Sequence, residues 1–181
     1  FGIAIAMNDF LEQFQIIRPP DVHATWQDDR MFAWLRVSSP NPVMLTAIQA
    51  LPENFPVTEA QFQATMGVDD TLAAAGAEGR LFLVDYKALS GIVGGDFPDN
   101  LQKYLAVPLA LFATPRAGEA DRELRAVAIQ LSQTPGLSAP IFTPKDPGWR
   151  LAKNHVQVAD GNYHELITHL GRTHLVLEAP D

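Results

Sequence analysis

The chain has 181 residues, no cysteine and a formal charge of −8, a size suited to one domain that buries about 70% of its unfolded surface. Acidic residues are scattered rather than clustered, which disfavours nucleic acid as a partner, and no polybasic patch marks a membrane surface. Without cysteine, disulfide scaffolding and thiolate ligation are excluded, so any metal has to use histidine, carboxylate, amide or water. The longest apolar run, Leu105 to Ala113, is broken by Pro108 and falls far short of the roughly 20 residues of a membrane span, which predicts a soluble protein. Phe1 to Met7 lacks a basic n-region and does not read as a signal peptide.

In chain order, Ile3, Met7, Phe10, Leu11 and Phe14 fall at helical spacing, predicting a first helix over Ile3–Ile17 that ends at Pro19-Pro20. A second spans His23–Val37 and carries Trp26, Phe32, Trp34 and Val37, with Asn41 in the turn between Pro40 and Pro42. Leu51–Val57 is extended. Thr58 then caps a short helix through Met66, and Asp69 or Asp70 caps another through Gly76. Leu81–Tyr86, Leu105–Ala113 and Leu124–Leu131 read as strands, with Gly118 in the turn between the last two. These elements predict a mainly α fold with a small antiparallel β subdomain over about residues 81–131. Gln133–Lys145 reads as an ordered loop. Asp146-Pro147 opens a helix carrying Trp149, Leu151, Ala152, His155 and Val156, which Asp160-Gly161 interrupts so that Asp160 caps the next.

That last helix holds three of the five histidines, His164, His169 and His174, at a strict five-residue interval. In an undistorted α-helix such a step leaves neighbouring side chains roughly 140° apart. A local π-bulge, with i to i+5 hydrogen bonding, brings them onto one side, and π-bulges cluster at functional sites. The spacing therefore predicts a metal site on a distorted helix. His164-Glu165-Leu-Ile-Thr-His169 comes close to the zinc-protease signature, but that signature needs histidines four apart. The competing reading is an amphipathic helix whose histidines are ordinary core or surface residues, packed among Leu166, Leu170, Leu175 and Leu177.

Trp149-Arg-Leu-Ala-Lys153, Val156, Asp160 and then His164-Glu-Leu-Ile-Thr-His169-Leu-Gly-Arg-Thr-His174-Leu-Val-Leu-Glu178 resemble the lipoxygenase signature. Trp26–Phe32, Asn41-Pro42-Val43, Leu51–Thr58, Gly79–Tyr86 and Ile141–Pro144 resemble, in order, consecutive stretches of the same catalytic domain. Two departures, Leu35 and Pro40, stand where the family often has Gln and Gly.

The resemblance implies a lipoxygenase-like helical catalytic domain and non-haem iron, with manganese as the other metal to consider. It implies His169 and His174 as ligands, His164 and Glu165 in the shell around them, and Gly161, Leu170 and Leu175 along the substrate channel. The implied reaction is hydrogen abstraction from a cis,cis-1,4-pentadiene of a polyunsaturated fatty acid followed by O2 addition, giving a hydroperoxide. A further His, an Asn or His and a C-terminal carboxylate would complete the iron site. Residues 1–181 are thus expected to be a single incomplete domain, the N-terminal part of that catalytic domain, inactive without the C-terminal part of the enzyme. Other expectations are a peripheral membrane contact and, as rival functions, a zinc-dependent hydrolase or a non-catalytic lipid-binding relative.

Overall fold

The computed structural model describes residues 14–92, 94–95 and 104–177. The expected first helix lies almost wholly outside them, and its last four positions, 14–17, are not helical. The fold is built around a five-stranded antiparallel sheet in sequence order: β1 (Thr46–Ile48), β2 (Leu81–Asp85), β3 (Leu109–Ala113), β4 (Arg125–Gln130) and β5 (Ile141–Phe142). Among the described residues, five α-helices accompany it: α1 (Asp29–Ser38), α2 (Glu59–Met66), α3 (Leu72–Ala77), α4 (Trp149–Tyr163) and the short α5 (Leu175–Leu177). An eleven-residue π-helix, His164–His174, joins α4 to α5.

The sheet separates two apolar layers. Side chains alternate along β2 and β3, so Phe82, Val84, Ala110 and Phe112 face α1 and α4, while Leu81, Leu83, Leu109 and Leu111 face α2 and α3. Both faces of β3 are covered and all five of its residues are buried, which is why it reads as a continuous apolar run rather than an alternation. The register slips between Leu111 and Phe112, which pair with Ala128 and Ala126. Val127 is therefore the extra residue of a bulge, and both Val127 and Ala128 face the α2 side. The molecule is a helix–sheet–helix arrangement, and the described residues are mixed α and β where the sequence predicted mainly α. Short strands carry a weaker local signal than helices, and β1 and β5 at the edges were invisible to it.

Local chemistry explains most of the boundaries. Thr58 accepts from Gln61 N at 3.2 Å while the Gln61 side chain accepts from Thr58 N at 2.9 Å, a capping box that starts α2 as expected. Leu105–Ala113 shortens to Leu109–Ala113 because Pro108 has no N–H to give a ladder. Three expected caps are corrected. Thr71 caps α3, accepting from Ala74 N at 3.1 Å, while Asp70 is drawn instead into a buried pair with Arg80, at 2.8 Å on each carboxylate oxygen. Gly148 holds the N-cap position of α4, since the Asp146 carboxylate is taken by Thr143 N and Oγ1, each at 2.7 Å. Asp160-Gly161 does not interrupt the helix: α4 runs through to Tyr163, and Asp160 is buried rather than capping. At Gly76 an added Cβ would lie 1.9 Å from Gln49 O, so α3 meets the chain after β1 at backbone contact.

The face that α4 buries is formed by Trp149, Ala152, Lys153, Val156, Ala159, Asp160 and Tyr163, the three- and four-residue steps of an amphipathic helix. Asp29 at the start of α1 ties it down, accepting from Trp149 Nε1 and Lys153 Nζ at 2.7 Å each. On α1 the buried face is Phe32, Ala33 and Arg36, leaving Trp34 and Val37 exposed.

Candidate metal centre

α4 delivers the histidines from a fixed base. Its buried face ends at Asp160 and Tyr163, and the chain then widens into the π-helix without a break. Leu175 N donates to Leu170 O, five residues back, and Thr173 Oγ1 donates to Thr168 O at 3.0 Å, also five back. Gly171 sits where an added Cβ would be 3.3 Å from Leu166 O, again five residues back. The expected single bulge is thus extended over every position from His164 to His174.

The wider winding brings the three rings together. His164 and His169 stack with centroids 5.6 Å apart and planes within 9°. His169 and His174 meet at 4.8 Å and 65°, with their Nε2 atoms 3.0 Å apart. Glu165 Oε2 lies 3.3 Å from His169 Nδ1, so a proton on that nitrogen is held by a carboxylate while Nε2 keeps its lone pair for another partner. His164 is half-buried, and Glu165, His169 and His174 are exposed.

Behind the rings runs a polar chain that the sequence did not disclose as a unit. His164 Nδ1 lies 3.1 Å from Thr168 Oγ1, and Thr168 Oγ1 lies 2.9 Å from Asn41 Oδ1. Asn41 Nδ2 donates to Asp160 O at 2.9 Å and to Asp160 Oδ1 at 3.2 Å. Asp160 Oδ1 also accepts from the Tyr86 hydroxyl at 2.8 Å, and Arg36 Nη1 donates to Tyr86 at 2.9 Å. Burial, and then the neighbouring Asp160 carboxylate, push the Tyr86 hydroxyl far above its usual range against the opposing pull of Arg36, so it remains a donor. Asn41, Arg36 and Asp160 are all buried. Thr168 lies one residue from His169 and four from His164, a local signal that could have flagged it. Asn41, Tyr86 and Arg36 come from other elements and carried no such signal.

The remaining expected residues lie along the exposed side. Leu170 and Leu175, next to the two histidines, are 44% and 60% exposed. Gly161 is in the last turns of α4, and a Cβ there would meet nothing within 4 Å. Among the described residues, close packing does not account for that glycine.

A lipoxygenase family model matches residues 12–180. The chain belongs to the lipoxygenase family. It is 40% identical to the linoleate 9/13-lipoxygenase of Pseudomonas aeruginosa, over 98% of this chain and 27% of that protein. It is 38% identical to human polyunsaturated fatty acid lipoxygenase ALOX15B, over 98% of this chain and 26% of the relative. An anaerobic crystal structure of a lipoxygenase deletion variant in complex with arachidonate superposes with a TM-score of 0.81 at 33% identity, covering 97% of this chain and 27% of that one. The chain spans about a quarter of the length of the lipoxygenases it matches.

The donor geometry of this lipoxygenase chain fits a metal ion. Two imidazole nitrogens bound at right angles, each about 2.1 Å from one ion, would lie about 3 Å apart, and His169 Nε2 and His174 Nε2 are 3.0 Å apart. A second grouping is present: His164, Glu165 and His169 each place one ligand atom within 4.8 Å of the others. The two groupings divide on His169, because Glu165 is on its Nδ1 side and His174 on its Nε2 side. A carboxylate on the far nitrogen of a metal-bound imidazole is the common arrangement around ligating histidines, and it favours His169 with His174. Among the described residues, no helix is long and apolar enough to cross a membrane.

Proposed function

We propose that this chain carries part of a non-haem iron centre that dioxygenates polyunsaturated fatty acids to hydroperoxides, with His169 and His174 as two of the protein ligands. The observation that carries the reading is the approach of His169 Nε2 to His174 Nε2 at 3.0 Å in a chain of the lipoxygenase family. Imidazole donors with open positions suit iron, and manganese of the same charge fits the same nitrogens. When bound, the metal supplies the one-electron chemistry that removes a hydrogen atom from the doubly allylic carbon and so opens the substrate to O2.

The chain's own residues do the rest. Glu165 holds His169 through Nδ1, and His164 packs on its face. Leu170 and Leu175 offer apolar surface beside the histidines for an acyl chain, and the open space at Gly161 admits a deep-reaching one. No general acid, base or nucleophile is asked of the protein. That the chain spans 27% of its bacterial relative supports placing the other ligands in polypeptide outside these 181 residues, which form one part of a larger catalytic domain. The substrates of relatives support the class: linoleate in the bacterial protein's name and arachidonate in the crystal structure.

The test is metal analysis and O2 uptake with linoleate on the protein in its full length. Iron and uptake that are both lost in His174→Ala, with most of the iron kept in Glu165→Ala, support the reading. Zinc retained in His174→Ala and lost in Glu165→Ala would instead favour the His164, Glu165 and His169 grouping and a zinc hydrolase.

A further inference from the structure

The polar chain behind the histidines is ordered from its buried end at Asp160. Asp160 is an acceptor, and both the Asn41 Nδ2 contacts go to it, at 2.9 and 3.2 Å. Asn41 Oδ1 is left facing Thr168 Oγ1 at 2.9 Å, where it can only accept. The one proton of the Thr168 hydroxyl has two acceptor oxygens within reach, Asn41 Oδ1 at 2.9 Å and the His164 carbonyl at 3.1 Å, and given to either it leaves the Thr168 oxygen facing His164 Nδ1 at 3.1 Å as an acceptor. His164 must then donate from Nδ1, which sets both its tautomer and the plane of its ring. That ring lies 5.6 Å from His169 and parallel to it within 9°. The far end of the chain is anchored on other elements, since Tyr86 closes β2 and Arg36 lies on α1, both buried.

We infer that Thr168 and Asn41 are positioning residues, through which buried Asp160 fixes the His164 ring against His169 and so holds His169 Nε2 in place beside His174. The inference rests on the metal site proposed above. Glu165, at 68% side-chain exposure, is a weak clamp on its own. The chain supplies the rigidity that an exposed hydrogen bond lacks, because its inner members Asn41, Tyr86, Arg36 and Asp160 are buried and hydrogen-bonded to one another.

The experiment uses the full-length protein, stripped of metal and titrated with Co2+. Thr168→Val keeps the shape and removes the hydroxyl, and is expected to raise the Co2+ dissociation constant about 10- to 100-fold. Thr168→Ser restores the hydroxyl and is expected to bind like the wild type. Thr58→Ala, on the opposite side of the sheet, lowers stability without touching the chain and serves as the control; it is expected to leave Co2+ binding unchanged. A Thr168→Val protein that binds Co2+ as the wild type does, or one matched by Thr58→Ala, overturns the inference.

Histidine ring 15N shifts of the metal-free protein give a reading that does not depend on the metal. The wild type is expected to show His164 protonated at Nδ1, and Thr168→Val to lose that preference. A wild-type His164 protonated at Nε2 overturns the positioning role. A wild type that binds no Co2+ but shows the expected His164 tautomer overturns the metal site and leaves the orienting chain supported.

Discussion

At His169 one ring is contacted on three sides: Glu165 on Nδ1, His174 on Nε2 and His164 across its face. Contacts on three sides restrict the rotamers open to this half-exposed imidazole, and such preorganisation is what a metal ligand gains from its surroundings. A different residue pair illustrates charge used for folding alone. Asp70 and Arg80 are buried together with two hydrogen bonds of 2.8 Å. Those bonds hold the Asp70 carboxyl below its usual range, against the opposing effect of burial. The folded pKa is thus lower than the unfolded value of about 3.9, so the stabilisation is complete above that pH and is lost as pH falls through the folded pKa. Asp70→Asn is expected to lower unfolding free energy by about 2 kcal/mol at pH 7, because buried Arg80 keeps only the half-exposed Glu78 carboxylate and the Thr114 carbonyl. The gap to the wild type should narrow below about pH 4 in urea titrations, and a gap independent of pH would show that the carboxylate charge is immaterial.

Elements behave differently on the two sides of the sheet. α2 begins with a closed capping box at Thr58 and Gln61 and ends at Gly67; the Thr58 cap and the end at Met66 were legible locally. Thr58→Ala should cost about 1 kcal/mol in chemical denaturation while O2 uptake per folded molecule is unchanged. On the other side, α4 and the π-helix form one continuous element whose first half packs and whose second half presents histidines. The π winding costs backbone hydrogen-bond quality, and it is accompanied by Thr173 on Thr168 O, Gly171 against Leu166 O and Thr168 on Asn41.

For the whole molecule, the proposed centre is coupled to the sheet through the Asp160 chain, which joins the π-helix to α1 and β2. A metal that binds only the folded arrangement adds stability by mass action, about 2.7 kcal/mol at a concentration 100 times its dissociation constant. Removal of metal with a chelator is therefore expected to lower the melting temperature in calorimetry, and metal restored to His169→Ala should fail to recover it. Equal melting temperatures with and without metal in the wild type would show that no ion is held by the folded state. The side bearing Leu166, Leu170, Leu175 and Val176 is apolar and exposed, 41 to 65% in these four residues.

The sequence by itself determined the family, the Thr58 cap, the three inner strands, the presence of a helix after Asp146 and the need for π winding under the histidines. Each of these is a local pattern of spacing or chemistry, and local patterns survive without knowledge of the fold. Only the tertiary structure decided that β1 and β5 complete one sheet, that Asp70 pairs with Arg80 instead of capping α3, and that Asp160 is buried instead of starting a helix. A short carboxylate can cap a helix or satisfy a distant donor, and which it does depends on which donors burial brings within 3 Å. The same holds for Asn41, 127 residues before its partner Thr168: no spacing rule connects two such residues, and their contact exists because α1 and α4 cover the same face of the sheet.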